Sequence, residues 1–299
     1  MTTFVRADGR PLRVVPGFRE RVLGYRPSVT PRPEWTPDQY ERAAEKKLER
    51  ARRLVAEIGQ RQELDRGTVL DVGCGDGINC LVMAYVAHAR VVGVDLRQPG
   101  FERLAELVVA RLDGGRLFTD VIAGLPVRFS RADATSLPFP PDSFDVLFSR
   151  SALEHIAPVG RALAEMARVT RAGGVIHHAV DPYYWLRGCH KRGLVDIPWA
   201  HARLSLDDFR RFVTEREGAA VAAQRCDRLR TLNRLTLAEW REAIEAGPFD
   251  ILEWTEAPSP FAVQLLEENP DVLDSLAVGV EPRDLVNGRL EFWLHVRKS

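Results

Sequence analysis

The chain lacks a net charge: 42 lysines and arginines are balanced by 42 aspartates and glutamates over 299 residues. No overall field therefore draws it to nucleic acid, as a strongly basic protein would be drawn. It also lacks a long apolar run. The longest, CLVMAYVAHA at 80–89, is about half of what spans a bilayer, and no membrane segment is expected. Cysteine is scarce, and none of Cys74, Cys80, Cys189 and Cys226 stands in a C-x-x-C pair or at a zinc-ligand spacing. With no leader-like N-terminus, reduced thiols in a cytoplasmic protein are expected. There is no internal repeat, and VTPRPEWTP at 29–37 is the one biased segment. What is present is an ordinary globular composition, 45% hydrophobic and 28% charged, enough to fill a core. The first seventy residues lean basic and 239–285 lean acidic, a distribution read as two solvated faces.

Residues 1–36 show no long period and read as an irregular arm. Thr36 or Asp38 suits a helix cap, Pro37 suits a first turn and Gly59 suits a stop, so a helix is expected over DQYERAAEKKLERARRLVAEIG. Strands and helices then alternate. TVLDVG (68–73), RVVGVDL (90–96), VRFSRAD (127–133), FDVLFS (144–149) and GVIHHAV (174–180) read as strands. INCLVMAYVAHA (78–89), FERLAELVVARL (101–112) and ALAEMARV (162–169) read as helices. Continuous apolar strands alternating with helices imply an α/β fold with a parallel sheet covered on both faces, and ligands at the carboxyl ends of its strands. The pattern breaks after residue 181 for about sixty residues and resumes with FDILEW (249–254) and RLEFWLHV (289–296). The expected organisation is an arm and lid helix (1–65), a binding core (66–181), an inserted cap (182–240) and closing elements (241–299).

Between the first strand and first helix lies Asp71-Val72-Gly73-Cys74-Gly75-Asp76-Gly77. A dinucleotide fingerprint, G-x-G-x-x-G, would put its third glycine at 78, where this chain has Ile78. The acid Asp71 ahead of the loop disfavours a pyrophosphate and favours a cationic amino group. Asp95 ends the second strand, where a carboxylate can accept from ribose hydroxyls. Asp133 ends the third, where it can accept from an adenine amino group.

VLDVGCGDG, then VVGVDL, RADATSLPFPPDSFDVLFSRSALEHI and RVTRAGGVI, resembles the class I S-adenosylmethionine-dependent methyltransferases over residues 66–181. The resemblance implies a Rossmann-like, seven-stranded, mostly parallel sheet with helices on both faces. It implies S-adenosyl-L-methionine as donor and S-adenosyl-L-homocysteine as product. Gly73, Gly75 and Gly77 would hold the methionine part with Asp71 near its ammonium group. Asp95 would bind the ribose, Leu96 would pack on the adenine, and Asp133 and Ala134 would meet its amino edge. Ser149 would lie near the sulfonium; Arg150 receives no assignment.

Asp181-Pro182-Tyr183-Tyr184 looks like the D-P-P-Y signature of enzymes that methylate amino groups in nucleic acid. In those enzymes the tetrapeptide follows the fourth strand; here it follows the fifth, with Tyr183 at the second proline. A nucleic-acid partner is therefore not expected. Asp181, Tyr183, Tyr184 and Trp185 are instead expected to wall a small-molecule acceptor pocket. His190, Trp199, His201 and Arg203 of the cap are further candidates, suited to a sugar or polyketide ring bearing a phosphate or carboxylate. For a hydroxyl acceptor the first candidate base is His155, and His178 with Asp181 is the second. Alternation places His178 and Val180 on one face and His177 and Ala179 on the other. No ligand spacing assigns a metal. The expected activity is methyl transfer to a small-molecule hydroxyl of sugar or secondary metabolism. The alternatives are a donor-binding fold used without methyl transfer, as a cyclase or binding protein, and a nucleic-acid methyltransferase.

Overall fold

The computed structural model describes residues 3–25, 34–97, 103–114 and 116–298. The first part of VTPRPEWTP and the first two residues of the helix expected at 101–112 lie outside them. The N-terminal arm is not irregular. It holds a hairpin of β1 (Thr3–Val5) and β2 (Pro11–Arg13), then a short helix α1 (Phe18–Leu23). Strands of three residues have no period to read, but Phe4, Leu12 and Phe18 are all buried.

Helix α2 (Pro37–Gly59) begins where its chemistry dictates: Thr36 and Gln39 form a reciprocal capping box ahead of Pro37. Its buried stripe of Ala44, Leu48, Ala51, Leu54, Val55 and Ile58 follows helical spacing and packs beside the sheet helices. β3 (Thr68–Val72), α3 (Ile78–Ala87), β4 (Arg90–Asp95), α4 (Arg103–Asp113), α5 (Phe118–Gly124) and β5 (Val127–Arg131) build one half of the sheet. β6 (Phe144–Arg150), α6 (Val159–Val169) and β7 (Thr170–Val180) build the other. The sequence pattern missed α5, a seven-residue helix in a stretch with a glycine at either end.

After β7 come α7 (His190–Gly193), α8 (Ala200–Arg203), α9 (Leu206–Glu217), α10 (Ala219–Arg230) and α11 (Leu237–Glu245). β8 (Phe249–Pro258), α12 (Pro260–Glu267), α13 (Pro282–Val286) and β9 (Asn287–Val296) close the chain. The sheet has seven strands in the order β5-β4-β3-β6-β7-β9-β8, with β3 to β7 parallel and β9 antiparallel to both neighbours. Strand order reverses between β3 and β6, which places the ligand crevice of an open α/β sheet at their carboxyl ends.

Three apolar cores follow from this layering. α2, α3 and α4 cover one face of the sheet, and α6 and α11 cover the other. The third core is the cap, and it is not one insertion. Phe4, Leu12 and Phe18 from the N-terminus, residues from Tyr183 to Leu232, and Ala262 to Leu285 share one buried cluster. Backbone hydrogen bonds stitch the three segments: Val15 to Asp196 at 2.7 Å, Ala277 to Ala202 at 2.8 Å and Leu186 to Leu285 at 3.1 Å. The expected arm is thus divided, its hairpin in the cap and α2 on the sheet, and the segment between β8 and β9 completes the cap.

Candidate active site

The loop after β3 is tied to the end of β4, since Gly73 and Cys74 both donate backbone N–H groups to the Val94 carbonyl, at 2.8 and 3.0 Å. Gly73 has φ 79°, and a Cβ there would stand 2.3 Å from the Ala152 Cβ. Only glycine allows that backbone shape and that approach between the β3 and β6 turns. Gly75, at φ 54°, has open space around it and donates its N–H to Asp95 Oδ2 at 3.1 Å. Asp95 Oδ1 accepts from Arg97 N at 3.1 Å, so this carboxylate shapes the loop it adjoins. Leu96 beside it is 63% exposed, an apolar surface open to a ring. Asp133 accepts from the N–H and Oγ of Thr135, both at 2.8 Å. Those bonds, the backbone N–H first, hold its carboxyl below the ordinary value. Ala134 is buried next to it.

Asp71 lies beneath the loop rather than at its surface. It is 1% exposed, and the Cys80 thiol donates to it at 3.2 Å. Burial pushes its carboxyl up to about 7, against the opposing pull of that thiol. The middle of α2 runs past the same loop, and Lys47 forms an ion pair with Asp76. At the start of α2, Trp35 is 46% exposed and its ring meets Tyr40 at 5.3 Å.

Two cavities meet at Asp181, just past the end of β7. One, of 550 Å³, is lined by Arg50, Arg150, Arg289, Glu57 and Glu291 among others. It adjoins the β6 turn that packs on Gly73, and neither Arg50 nor Arg150 has an ion-pair partner among the described residues. The other, of 420 Å³, lies in the cap, with Trp185, His190 and Leu194 in its wall and Arg228 at its rim. Burial pushes the Asp181 carboxyl up, partly offset by Arg289 and His190. His190 sits at φ 53°, in the left-handed region, a strained shape worth about 1–2 kcal/mol. Its Nε2 is buried without a hydrogen-bond partner. The His155 ring stacks on it, centroids 5.3 Å apart and planes 6° from parallel. Burial moves both imidazoles toward the neutral form, His155 down to about 4. His155 therefore stands behind His190, which holds the cavity wall.

Several expected acceptor residues prove to be core. His178 is fully buried with neither ring nitrogen bonded, packed 5.0 Å from Phe292, and burial holds it near 3. β7 alternation turns it under α6 and α11, away from Asp181, so it is no base. Its neighbour His177 faces the opposite side, where a neutral ring N–H donates to Glu291 at 2.6 Å. Trp199 is 1% exposed and donates Nε1–H to Leu285 O at 3.0 Å. His201, buried, donates to the Trp185 carbonyl at 3.0 Å. Arg203, also buried, holds Ser275 Oγ at 2.7 Å and Pro198 O at 3.1 Å. These three brace the cap from inside. Tyr183 is buried beneath Arg234; Tyr184 and Trp185 remain half-buried. Ser149, at the end of β6, is buried with an unpartnered Oγ.

Sequence reasoning missed Asn233 and Arg228. Asn233 Nδ2 donates to Leu153 O at 2.7 Å and to Ile156 O at 3.2 Å, which clamps the turn carrying Glu154 and His155. A lone asparagine between α10 and α11 offers no pattern that would reveal this. Among the described residues no group of three His, Cys, Asp or Glu side chains is placed to hold a metal ion.

Glu154 has both carboxyl oxygens buried and unbonded, and burial, with the charge of Asp181, raises it to about 8. Its unfolded value is about 4.3. Between these values the folded state holds a proton that the unfolded state has lost, so stability falls as pH rises through that window. Glu154→Gln removes the titration. Its stability relative to the parent should rise from pH 5 to pH 8, by on the order of a few kcal/mol, and level off above. Denaturant melts at pH 5, 7 and 9 check this, and a difference independent of pH would refute it.

Residues 70–177 match a methyltransferase domain family. O-methyltransferase cnsE of Penicillium expansum is 37% identical over 122 residues, covering 40% of this chain and 41% of the relative. The 27-O-demethylrifamycin SV methyltransferase of Amycolatopsis mediterranei is 31% identical over 106 residues, covering 36% of this chain and 35% of the relative. The chain thus spans less than half the length of these curated relatives. A candidate sarcosine dimethylglycine methyltransferase from Galdieria sulphuraria superimposes with a TM-score of 0.51 at 10% identity, over 84% of this chain and 86% of that one, a likeness of fold. With the strand order and the glycine loop already described, the chain belongs over residues 70–177 to the class I S-adenosylmethionine-dependent methyltransferases.

Proposed function

We propose that this protein transfers the methyl group of S-adenosylmethionine to a hydroxyl of a small-molecule acceptor held under the cap, a sugar or a secondary metabolite. The Asp181 side chain shared by the two cavities carries this reading, because it sets the loop side of the crevice beside an open cavity in the cap. The names of the two relatives, an O-methyltransferase and a 27-O-demethylrifamycin SV methyltransferase, support a hydroxyl.

When bound, S-adenosylmethionine supplies an electrophilic methyl carbon on a sulfonium. The glycine loop would hold its methionine part, Asp95 its ribose, Leu96, Asp133 and Ala134 its adenine, and Arg50 and Arg150 its carboxylate. The protein then has to align the acceptor and keep water out. His190, which lines the cavity, would take the hydroxyl proton on Nδ1, because Nε2 is buried. Asp181 would favour the imidazolium so formed, and the stacked His155 would keep the ring in place. Asp133 and Asp95 stay outside the proton path.

Protein incubated with donor carrying a deuterated methyl group and pooled host metabolites tests the reading by mass spectrometry. Label in a hydroxyl of a small molecule is expected. Label in host RNA or DNA, or none in any fraction with donor binding intact, would overturn it. Asp95→Ala should weaken donor binding on the order of 100-fold by calorimetry, since two charge-assisted hydrogen bonds are lost. An unchanged affinity would remove Asp95 from the donor site.

A further inference from the structure

The 42 basic and 42 acidic residues cancel over the chain, yet they do not cancel in the cap cavity. Arg187, Lys191, Arg192 and Arg228 surround it, and among the described residues Asp181 is the one acid in its wall. Several cations elsewhere in the cap are matched: Arg13 with Asp271, Arg21 with Glu268, Arg203 with Asp271 and Arg225 with Glu217. Lys191, Arg192 and Arg228 have no carboxylate partner among the described residues, and Arg187 donates only to the Val22 carbonyl, at 2.5 Å. Four exposed cations stand around a space of 420 Å³, where solvent screens their mutual repulsion and leaves them open to an anion. The charge of Arg228 also reaches inward, where it disfavours the protonated form of both His155 and His190. Leu23, Leu194 and the half-buried Trp185 form the apolar part of the wall.

Building on the methyltransferase reading, we infer that the acceptor carries an oxyanion, a carboxylate or a phosphate ester, bound by Arg187, Lys191, Arg192 and Arg228. Arginine forks suit planar or tetrahedral oxyanions through paired N–H donors. Asp181 and His190 line the same cavity, and the acceptor hydroxyl would sit beside them. The charged group would thus fix which hydroxyl of a polyfunctional molecule reaches the donor. It would also neutralise the rim and leave His190 freer to accept a proton. Arg192 and Arg228 are exposed, so they can be changed without opening the core.

The test uses inorganic phosphate and acetate as probes, titrated at constant ionic strength into protein saturated with S-adenosylhomocysteine. Binding is read from tryptophan fluorescence, with Trp185→Phe as the reference for signal from the cavity. Saturable binding of at least one probe is expected, weakened at least about tenfold in the Arg192→Gln, Arg228→Gln double variant with its melting temperature unchanged. Preference for phosphate would mark a phosphorylated acceptor, and preference for acetate a carboxylated one. Absence of saturable binding, or binding equal in the double variant, would overturn the inference. Its failure is separable from that of the methyltransferase reading by offering labelled donor with metabolites split on an anion exchanger. Label confined to the unretained fraction would refute an anionic acceptor while leaving methyl transfer standing.

Discussion

Glutamine in place of His190 should slow methyl transfer by about 10²–10⁴-fold, the range lost with a positioned general base, while donor affinity stays unchanged. The expectation rests on a ring that lines the acceptor cavity and is held against His155 at 5.3 Å. Its pH dependence has a definite sign. Burial lowers the His190 pKa from its ordinary 6.5, and Asp181 only partly restores it. The imidazole is therefore neutral, and competent as a base, at pH 7 and above. Activity of the parent should fall as pH drops through that lowered pKa, and the acid limb should vanish in His190→Gln. His155→Gln should cost less, because His155 supports the ring without lining the cavity. Full activity of His190→Gln across pH, with His155→Gln inactive, would return the base role to His155.

Alanine in place of Trp199 should destabilise the protein by about 3–5 kcal/mol, the usual cost of emptying a large aromatic site. That is a large share of a typical folding free energy of about 5–15 kcal/mol. The side chain is 1% exposed and touches all three parts of the cap. Its ring meets Phe18 of α1 with centroids 6.1 Å apart, and its Nε1–H holds Leu285 O at 3.0 Å. Truncation leaves a void and strands that buried carbonyl. Calorimetry should show a melting temperature lower by roughly 10 °C. Trp199→Phe, which keeps most of the volume and loses the hydrogen bond, should lose only about 1–2 kcal/mol. A drop of less than about 2 °C in the alanine variant would show that the cap does not depend on this residue.

The two variants divide the histidines and aromatics of the cap into groups that sequence reasoning treated alike. His190 and Trp199 both looked like acceptor residues, because a half-buried ring beside cations and a buried ring beside cations have the same local sequence. His177 and His178 are adjacent on one strand, and the period of two correctly separates their faces. It does not say which face is the cleft. The structure shows that neither is: Glu291 and Trp293 enclose one, and Phe292 packs on the other. Both enclosing surfaces belong to β9, more than a hundred residues later.

By itself the sequence determined the parallel half of the sheet, the glycine loop, and the acids at the ends of β4 and β5. Those features are short-range: apolar period, cap chemistry and turn residues act within a few positions, and a right-handed strand–helix–strand crossover brings Asp95 back to Gly75. The tertiary structure alone decided the cap. Phe4, Trp199 and Leu285 have no local signal in common, and they become one core because each segment leaves an apolar face that only the other two can bury. The same assembly buried His178, His201 and Arg203 and left His190 in the cavity wall. Burial of a polar side chain depends on what arrives from elsewhere in the chain, and no window of neighbouring residues contains that.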